Sequence, residues 1–302
     1  MQSAPARNTW LAHAKLAAVA FCWGSAMIAG RVIAAKVPVL TASTIRLAIA
    51  SFVLLVLLRR FGPLPRVDRK QFATLTVMGF CGVFIFNIFF FAALQKIPAS
   101  KGALIVALVP VLTALVVAVL LRERIKAQRW TGIALALVGV SVVVTHGQLQ
   151  LLASYLGDML GSGEGLMMVA ALGWVGYTVI SRVALKGLSA LAASTYAACI
   201  GFALLAIALL TQPENWQLDW LDWHSSLALV YIAVIGTALP YVWFVQGVQA
   251  LGPARTAVYI NLTPVFGVSL GFLVLGEAID SSMLIGGLIV IAGVTLTNRS
   301  NA

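Results

Sequence analysis

The sequence predicts an all-α polytopic membrane protein: ten transmembrane helices arranged as two inverted five-helix repeats, with the N- and C-termini cytoplasmic. Three observations carry this. Of 302 residues, 61% are hydrophobic and only 10% charged, against about 25% charged in a soluble domain. Basic residues crowd onto alternate connections, and the second half of the chain repeats the first. So few charges could not cover a soluble core of this size, whereas a bilayer requires no such cover.

A spanning helix takes about 20 apolar residues. Ten apolar segments lie near 15–35, 39–58, 71–92, 97–121, 128–145, 163–184, 189–211, 225–247, 253–275 and 280–297. The first is too long for the apolar stretch of a cleavable signal peptide and lacks a small-residue cleavage site. The second stops at Arg59 and Arg60, the third holds the run FIFNIFFF (84–91), and the fourth and ninth carry Pro110 and Pro264. The sixth and eighth cluster aromatic residues, and the fifth and tenth are glycine-rich. Connections are short, the longest being 59–70, 146–162 and 212–224, so no extramembrane domain is expected. Cys22, Cys81 and Cys199 lie inside apolar runs and read as small buried hydrophobes.

Loop charge sets the orientation. With the N-terminus cytoplasmic, that side holds fifteen basic residues against two acids, Asp68 and Glu123. The opposite side holds four basic residues (Arg31, Lys36, Lys96, Lys101) and seven acids. The net charge of +11 is therefore an orientation signal, and no nucleic-acid partner is expected. Trp216, Trp220 and Trp223 beside a span read as an interfacial belt or, less simply, a ligand lid.

At an offset of 154, residues 101–141 align with 255–295 without a gap, placing Pro110 on Pro264, Glu123 on Glu277, Gly132 on Gly286 and Gly139 on Gly293. At an offset of 151, Trp23 meets Trp174 and Arg31 meets Arg182. The two units are 15–145 and 163–297. Because five is odd, the second copy must enter from the opposite side, and inverted repeats recur in secondary transporters with substrate bound at the repeat interface.

The residues of this duplication also resemble a known family. WGS (23–25), LVP (108–110) with its partner LTP (262–264), and the span-end acids in RERI (122–125) and GEAI (276–279) are similar to the EamA-like branch of the drug/metabolite transporter superfamily. Within it, the whole chain looks most like the YddG-type exporters of aromatic amino acids. The resemblance implies a basket of ten helices around a central cavity, alternating access, and export of small molecules across a bacterial inner membrane.

Catalytic chemistry finds no foothold. There is no HExxH, no CxxC and no GK[ST] after the glycines of 157–165, and the three histidines sit at span ends or in loops. No enzyme activity, cofactor or metal site is expected. The candidates are the polar and aromatic residues inside spans. Arg46, about seven residues into segment 2, is the only ionised residue deep in a span, at a cost of about 2.5–3.5 kcal/mol for a central arginine. Two roles are open to it, structural anchoring and influence on the cavity. Asn87 either glues helices together or faces a wet cavity. Trp174 and Tyr177 share a helical face. Trp23, Tyr241, Gln246, Tyr259 and Asn261 complete the substrate-binding candidates. Pro110, Pro240 and Pro264 each free a backbone carbonyl one turn earlier, and Gly267 and Gly271 form a GxxxG helix contact.

Such a lining is rich in aromatics and neutral hydrogen-bonders and poor in fixed charge. It suits an amphipathic neutral or zwitterionic solute with an aromatic ring, and disfavours phosphate esters, which want several midspan cations. No buried carboxylate relay is visible, which points to facilitated or exchange transport rather than proton coupling. The competing readings are a broader metabolite or drug exporter and a non-transporting membrane scaffold.

Overall fold

The computed structural model describes residues 9–121, 127–148, 150, 161–184, 187–212, 222–251, 259 and 262–299. The long helices among them are α1 (Thr9–Ala34), α2 (Val39–Arg60), α3 (Arg69–Gly79), α4 (Phe86–Lys96), α5 (Ala99–Val106), α6 (Val109–Leu121) and α7 (Ala127–Val144). They continue as α8 (Gly163–Ala184), α9 (Ala190–Leu210), α10 (Trp223–Ala233), α11 (Leu239–Leu251), α12 (Thr263–Leu275) and α13 (Ser281–Arg299). No strand occurs among the described residues. Among the described residues, seven stretches are long and apolar enough to cross a membrane, and three shorter apolar helices accompany them. Large apolar side chains also cover the outside: Phe52, Leu273 and Leu288 are each about two-thirds exposed or more. An apolar exterior of this kind is what lipid solvates, and the protein is a multi-pass membrane protein.

Local chemistry sets the helix ends. Pro38, extended at ψ 142°, opens α2. Asp68 and Gln71 form a reciprocal capping box at the start of α3, which satisfies two orphan N–H groups. The expected continuous span over 97–121 is instead two helices, α5 and α6, separated by a turn at Ala107–Leu108. The cause is Pro110, which has no N–H to offer the carbonyl of Val106.

α3 runs into α4 through a π-helical turn, Phe80–Ile85, and α10 runs into α11 through a second, Val234–Ala238. The Phe86 N–H reaches Cys81 O and the Leu239 N–H reaches Val234 O, one residue further back than in an α-helix. Pro240 follows the second turn, and its missing N–H leaves Gly236 O without the usual donor. The two turns begin 154 residues apart, the same offset as the sequence repeat.

Helix packing follows a matching pattern. α1 lies on α10, α11 and α12, while α8 lies on α3, α4 and α5. Gly236 in the second π turn sits 2.9 Å, measured from a Cβ built on it, from the Ala26 side chain; Gly82 in the first sits under Tyr177 at 2.3 Å. α7 and α13 cross on glycine: a Cβ on Gly139 would stand 2.7 Å from Gly286 O, and one on Gly132 would stand 2.8 Å from Gly293 O. Any side chain there would force the helices apart, so these close crossings depend on glycine. The buried interior centres on α1, α4, α5 and α8, with Phe91, Leu94, Ile105 and Met167 almost fully enclosed.

Candidate substrate site

α2 carries Arg46 into the bundle, where the side chain is 7% exposed. Its guanidinium lies 5.4 Å from the Phe90 ring centre and 5.9 Å from that of Phe91. Nε and Nη2 both donate to Thr237 Oγ1, at 3.3 and 3.2 Å, and Nη1 has no partner among the described residues. Thr237 is placed there by the second π turn, and its own hydroxyl donates to Ile232 O at 3.0 Å. Asn87 stands one turn before Phe90 on α4. Its Nδ2 donates to Val83 O, a carbonyl of the first π turn, at 2.7 Å, and Oδ1 is buried with no donor among the described residues. π turns recur at functional sites because they displace side chains from their regular register. Here the second turn presents Thr237 to the arginine-bearing helix, and a carbonyl of the first holds the Asn87 amide.

An aromatic group adjoins this polar one. Trp174 stacks on Tyr177 at 4.9 Å and 14°, lies 6.2 Å from Tyr241, and meets Phe86 at 5.3 Å. Phe86 in turn stacks on Phe90 at 5.4 Å, so the rings run from Trp174 to the phenylalanine beneath Arg46. Tyr177 shares a hydroxyl hydrogen bond of 2.9 Å with Ser194. The assembly therefore has a cationic head, a neutral acceptor and a cluster of stacked rings. A shallow surface groove along α2, lined by Phe52, Leu55, Val56, Arg59 and Arg60, shares no residue with it.

Of the residues singled out from the sequence, Trp174, Tyr177 and Tyr241 come together and connect through Phe86 and Phe90 to Arg46, while Asn87 lies one turn before Phe90 on α4. Trp23 engages Phe244, one turn beyond Tyr241, at 5.8 Å. Gln246 accepts from Lys15 Nζ at 2.7 Å, and Tyr259 pairs with His13; both tie α1 to the far end of the second half. Asn261 lies outside the described residues. Pro110 and Pro264 each stand near the start of a helix, in α6 and α12. Gly267 packs against Ala103, and Gly271 against Glu277 and Ser100, so both serve close contact. Sequence reasoning missed Thr237, Ser194 and Phe86. The signal lay in the π turns, which no hydrophobic period reveals.

The end of the bundle carrying the α1–α2 connection is charged and tightly paired. Lys101 bonds Glu164 at 2.8 Å and His146 Nε2 at 3.0 Å, and His146 Nδ1 reaches Asp280 at 2.8 Å. His146 has a left-handed backbone (φ 51°). Glu277 accepts from Ala99 N–H, Ser100 N–H and Ser100 Oγ, at 2.7, 2.9 and 2.5 Å, capping α5 with its charge. Lys36 pairs with Asp222 at 2.6 Å. Hydrogen bonding from Lys36 and Ser225 N–H holds the Asp222 carboxyl at about 2, and bonding from Ser282, Met283 N–H and His146 holds Asp280 at about 2 as well. Among the described residues no group of three or more His, Cys, Asp or Glu could hold a metal ion.

The model of the EamA-like transporter family matches this chain twice, over residues 10–145 and 161–299. The chain belongs to the EamA-like transporter family. It is 29% identical to the uncharacterized transporter YyaM of Bacillus subtilis over 226 residues, 75% of this chain and 73% of that protein. It is 28% identical to the uncharacterized transporter YetK of the same species over 295 residues, 95% and 86% of the two chains. A "Probable terminal-alkyne amino-acid exporter" of Streptantibioticus cattleyicolor is 26% identical over 279 residues, 92% of this chain and 90% of that one. A crystal structure of another protein has the same fold at a TM-score of 0.64 and 21% identity, covering 95% of this chain and 97% of that chain.

Proposed function

We propose that this transporter exports amino acids, aromatic ones especially, from the cytoplasm across a bacterial inner membrane by alternating access. The observation that carries the reading is the ring cluster of Trp174, Tyr177 and Tyr241, which we read as a slot for flat solutes, joined through Phe86 and Phe90 to the buried Arg46, with Asn87 one turn before Phe90 on α4. Flat rings stack favourably on such a surface, by about 0.5–1.5 kcal/mol per pair beyond burial. The relative named as an amino-acid exporter adds support at low identity.

The architecture behind it is ten spans in two inverted repeats, 15–145 and 163–297, with both termini cytoplasmic. Support comes from the double family match, the two π turns at the repeat offset, and the reciprocal glycine crossing of α7 and α13. In that crossing Gly132 meets Gly293 while Gly139 meets Gly286, as equivalent residues on two-fold-related helices do. Transport is facilitative or by exchange, since the ring slot and polar head contain no carboxylate to relay a proton.

Counterflow of labelled phenylalanine into proteoliposomes tests the reading. Solute-dependent uptake should appear and should be lost in Trp174→Ala and Tyr177→Ala with the fold intact. Unchanged flux in both variants would refute the slot. Several-fold stimulation of tryptophan uptake by a pH gradient alone would refute the facilitative mechanism.

A further inference from the structure

We propose that the Arg46 guanidinium is the carboxylate anchor of the site, with Asn87 Oδ1 receiving the ammonium group, so that an ionised carboxyl is the feature the protein selects for. The inference rests on the transport reading above and names the chemistry of its substrate.

Arginine keeps its charge in a protein and carries five N–H donors in a fixed fork. Here two of the three nitrogens share one hydroxyl oxygen, and Nη1 is buried with nothing to bond among the described residues. The phenyl faces of Phe90 and Phe91 hold the plane of the guanidinium, but they accept no conventional hydrogen bond. The described ion pairs are Lys36–Asp222, Lys101–Glu164 and His146–Asp280, and none involves Arg46. A buried cation with no anion is what a site awaiting one requires, and a carboxylate matches the guanidinium fork in two parallel bonds.

The repeat shows that the fold does not demand this charge. Leu40, Ala42, Ser43 and Thr44 recur 151 residues on as Leu191, Ala193, Ser194 and Thr195, which places Ala197 at the position of Arg46. Ala197 is fully buried. The equivalent helix therefore packs on a methyl group, and the arginine is an addition to one half only.

Asn87 supplies the complementary end. Its amide nitrogen is occupied by Val83 O, so Oδ1, buried and unpaired among the described residues, is left as an acceptor. Asn87 lies three and four residues before Phe90 and Phe91, about one helical turn from the rings beneath the guanidinium. A carboxylate on Arg46 and an ammonium on Asn87 describe an α-amino acid head. Phe86 links Phe90 to Trp174, so the side chain of that solute would point to the ring slot.

The test uses the purified full chain and matched solutes: phenylalanine, phenylalaninamide, phenethylamine and 3-phenylpropionate, with leucine and leucinamide as the aliphatic pair. Ligand-induced thermal stabilisation and competition in counterflow are both read. Removing the carboxylate should weaken binding about ten- to hundredfold, the range for a hydrogen bond to a charged group. Arg46→Gln should erase the difference between acid and amide, and Arg46→Lys should keep part of it. An amide that binds wild type as well as its acid, or an R46Q variant that still prefers the acid, overturns the proposal. If R46Q does not fold, the wild-type series and R46K decide alone. If leucine and leucinamide are discriminated while no phenyl solute binds, the anchor stands and the aromatic preference falls. If no carboxylate binds at all, the anchor falls.

Discussion

Among the described residues two cations are buried, and they are treated in opposite ways. Lys101 is 4% exposed and meets Glu164 and His146, which passes on to Asp280. Arg46 is 7% exposed and meets one hydroxyl and two phenyl rings. Lys101 is part of a structural closure at one end of the bundle, where Glu277 and the Lys36–Asp222 pair also bind elements together. Arg46 closes nothing. Burial of a charge is therefore no guide to its role; its compensation is, because an uncompensated buried charge persists only where something other than stability retains it.

The sharpest way to break this comparison is to move the cation. Ala197→Arg places a guanidinium at the equivalent, fully buried position of the second half, on a helix whose Ala197 carbonyl already approaches Gly79 closely. Overpacking and an unpaired buried charge together should cost more than about 4 kcal/mol, and folded protein should be absent from size-exclusion profiles. Next comes Glu164→Gln, which leaves Lys101 buried beside a neutral amide; about 2–3 kcal/mol of stability should be lost, read as a fall in Tm. Arg46→Met should behave oppositely. Stability should change by less than about 1 kcal/mol, since an uncompensated charge is exchanged for an apolar chain, while amino-acid counterflow falls at least about tenfold. A large loss of Tm in this variant would make Arg46 a structural residue like Lys101.

Smaller effects belong to the closed end itself. Glu277→Ala removes a charged cap from α5 and should lower stability by about 1–2 kcal/mol. Acid should loosen the same end. Asp222 and Asp280 have folded pKa values of about 2, below the ordinary 3.8, so their contribution is complete above about pH 4 and is lost as pH falls from about 4 towards 2. Tm measured between pH 6 and pH 3 should decline at the acid limit. Asp222→Asn with Asp280→Asn should flatten that decline, and an unaltered slope would remove these two groups from the closure.

Legibility in the sequence varied by level. The helical, membrane-embedded character and the family followed from apolar run length and from paired motifs such as those at Pro110 and Pro264. Trp174 and Tyr177 were visible as neighbours on one helical face, and the structure stacks them. Arg46 could be noticed as a costly residue, but its partners could not be named. Trp23, Gln246 and Tyr259 carried similar signals, yet the structure engages them with Phe244, Lys15 and His13 instead. In a soluble helix the polar stripe reveals which side faces inward. In a bilayer both the interior and the lipid are apolar, so that stripe is missing and helix rotation is unreadable.

By itself, then, the sequence determined the solvent, the class of protein and its duplicated plan. These depend on composition and on spacing along the chain, which lipid and covalent order impose directly. Only the tertiary structure decided which side chains share a site. That choice was made by glycine-sized gaps and two π turns, the second of which brings Thr237 to Arg46 on α2, and such packing is set between helices rather than along them.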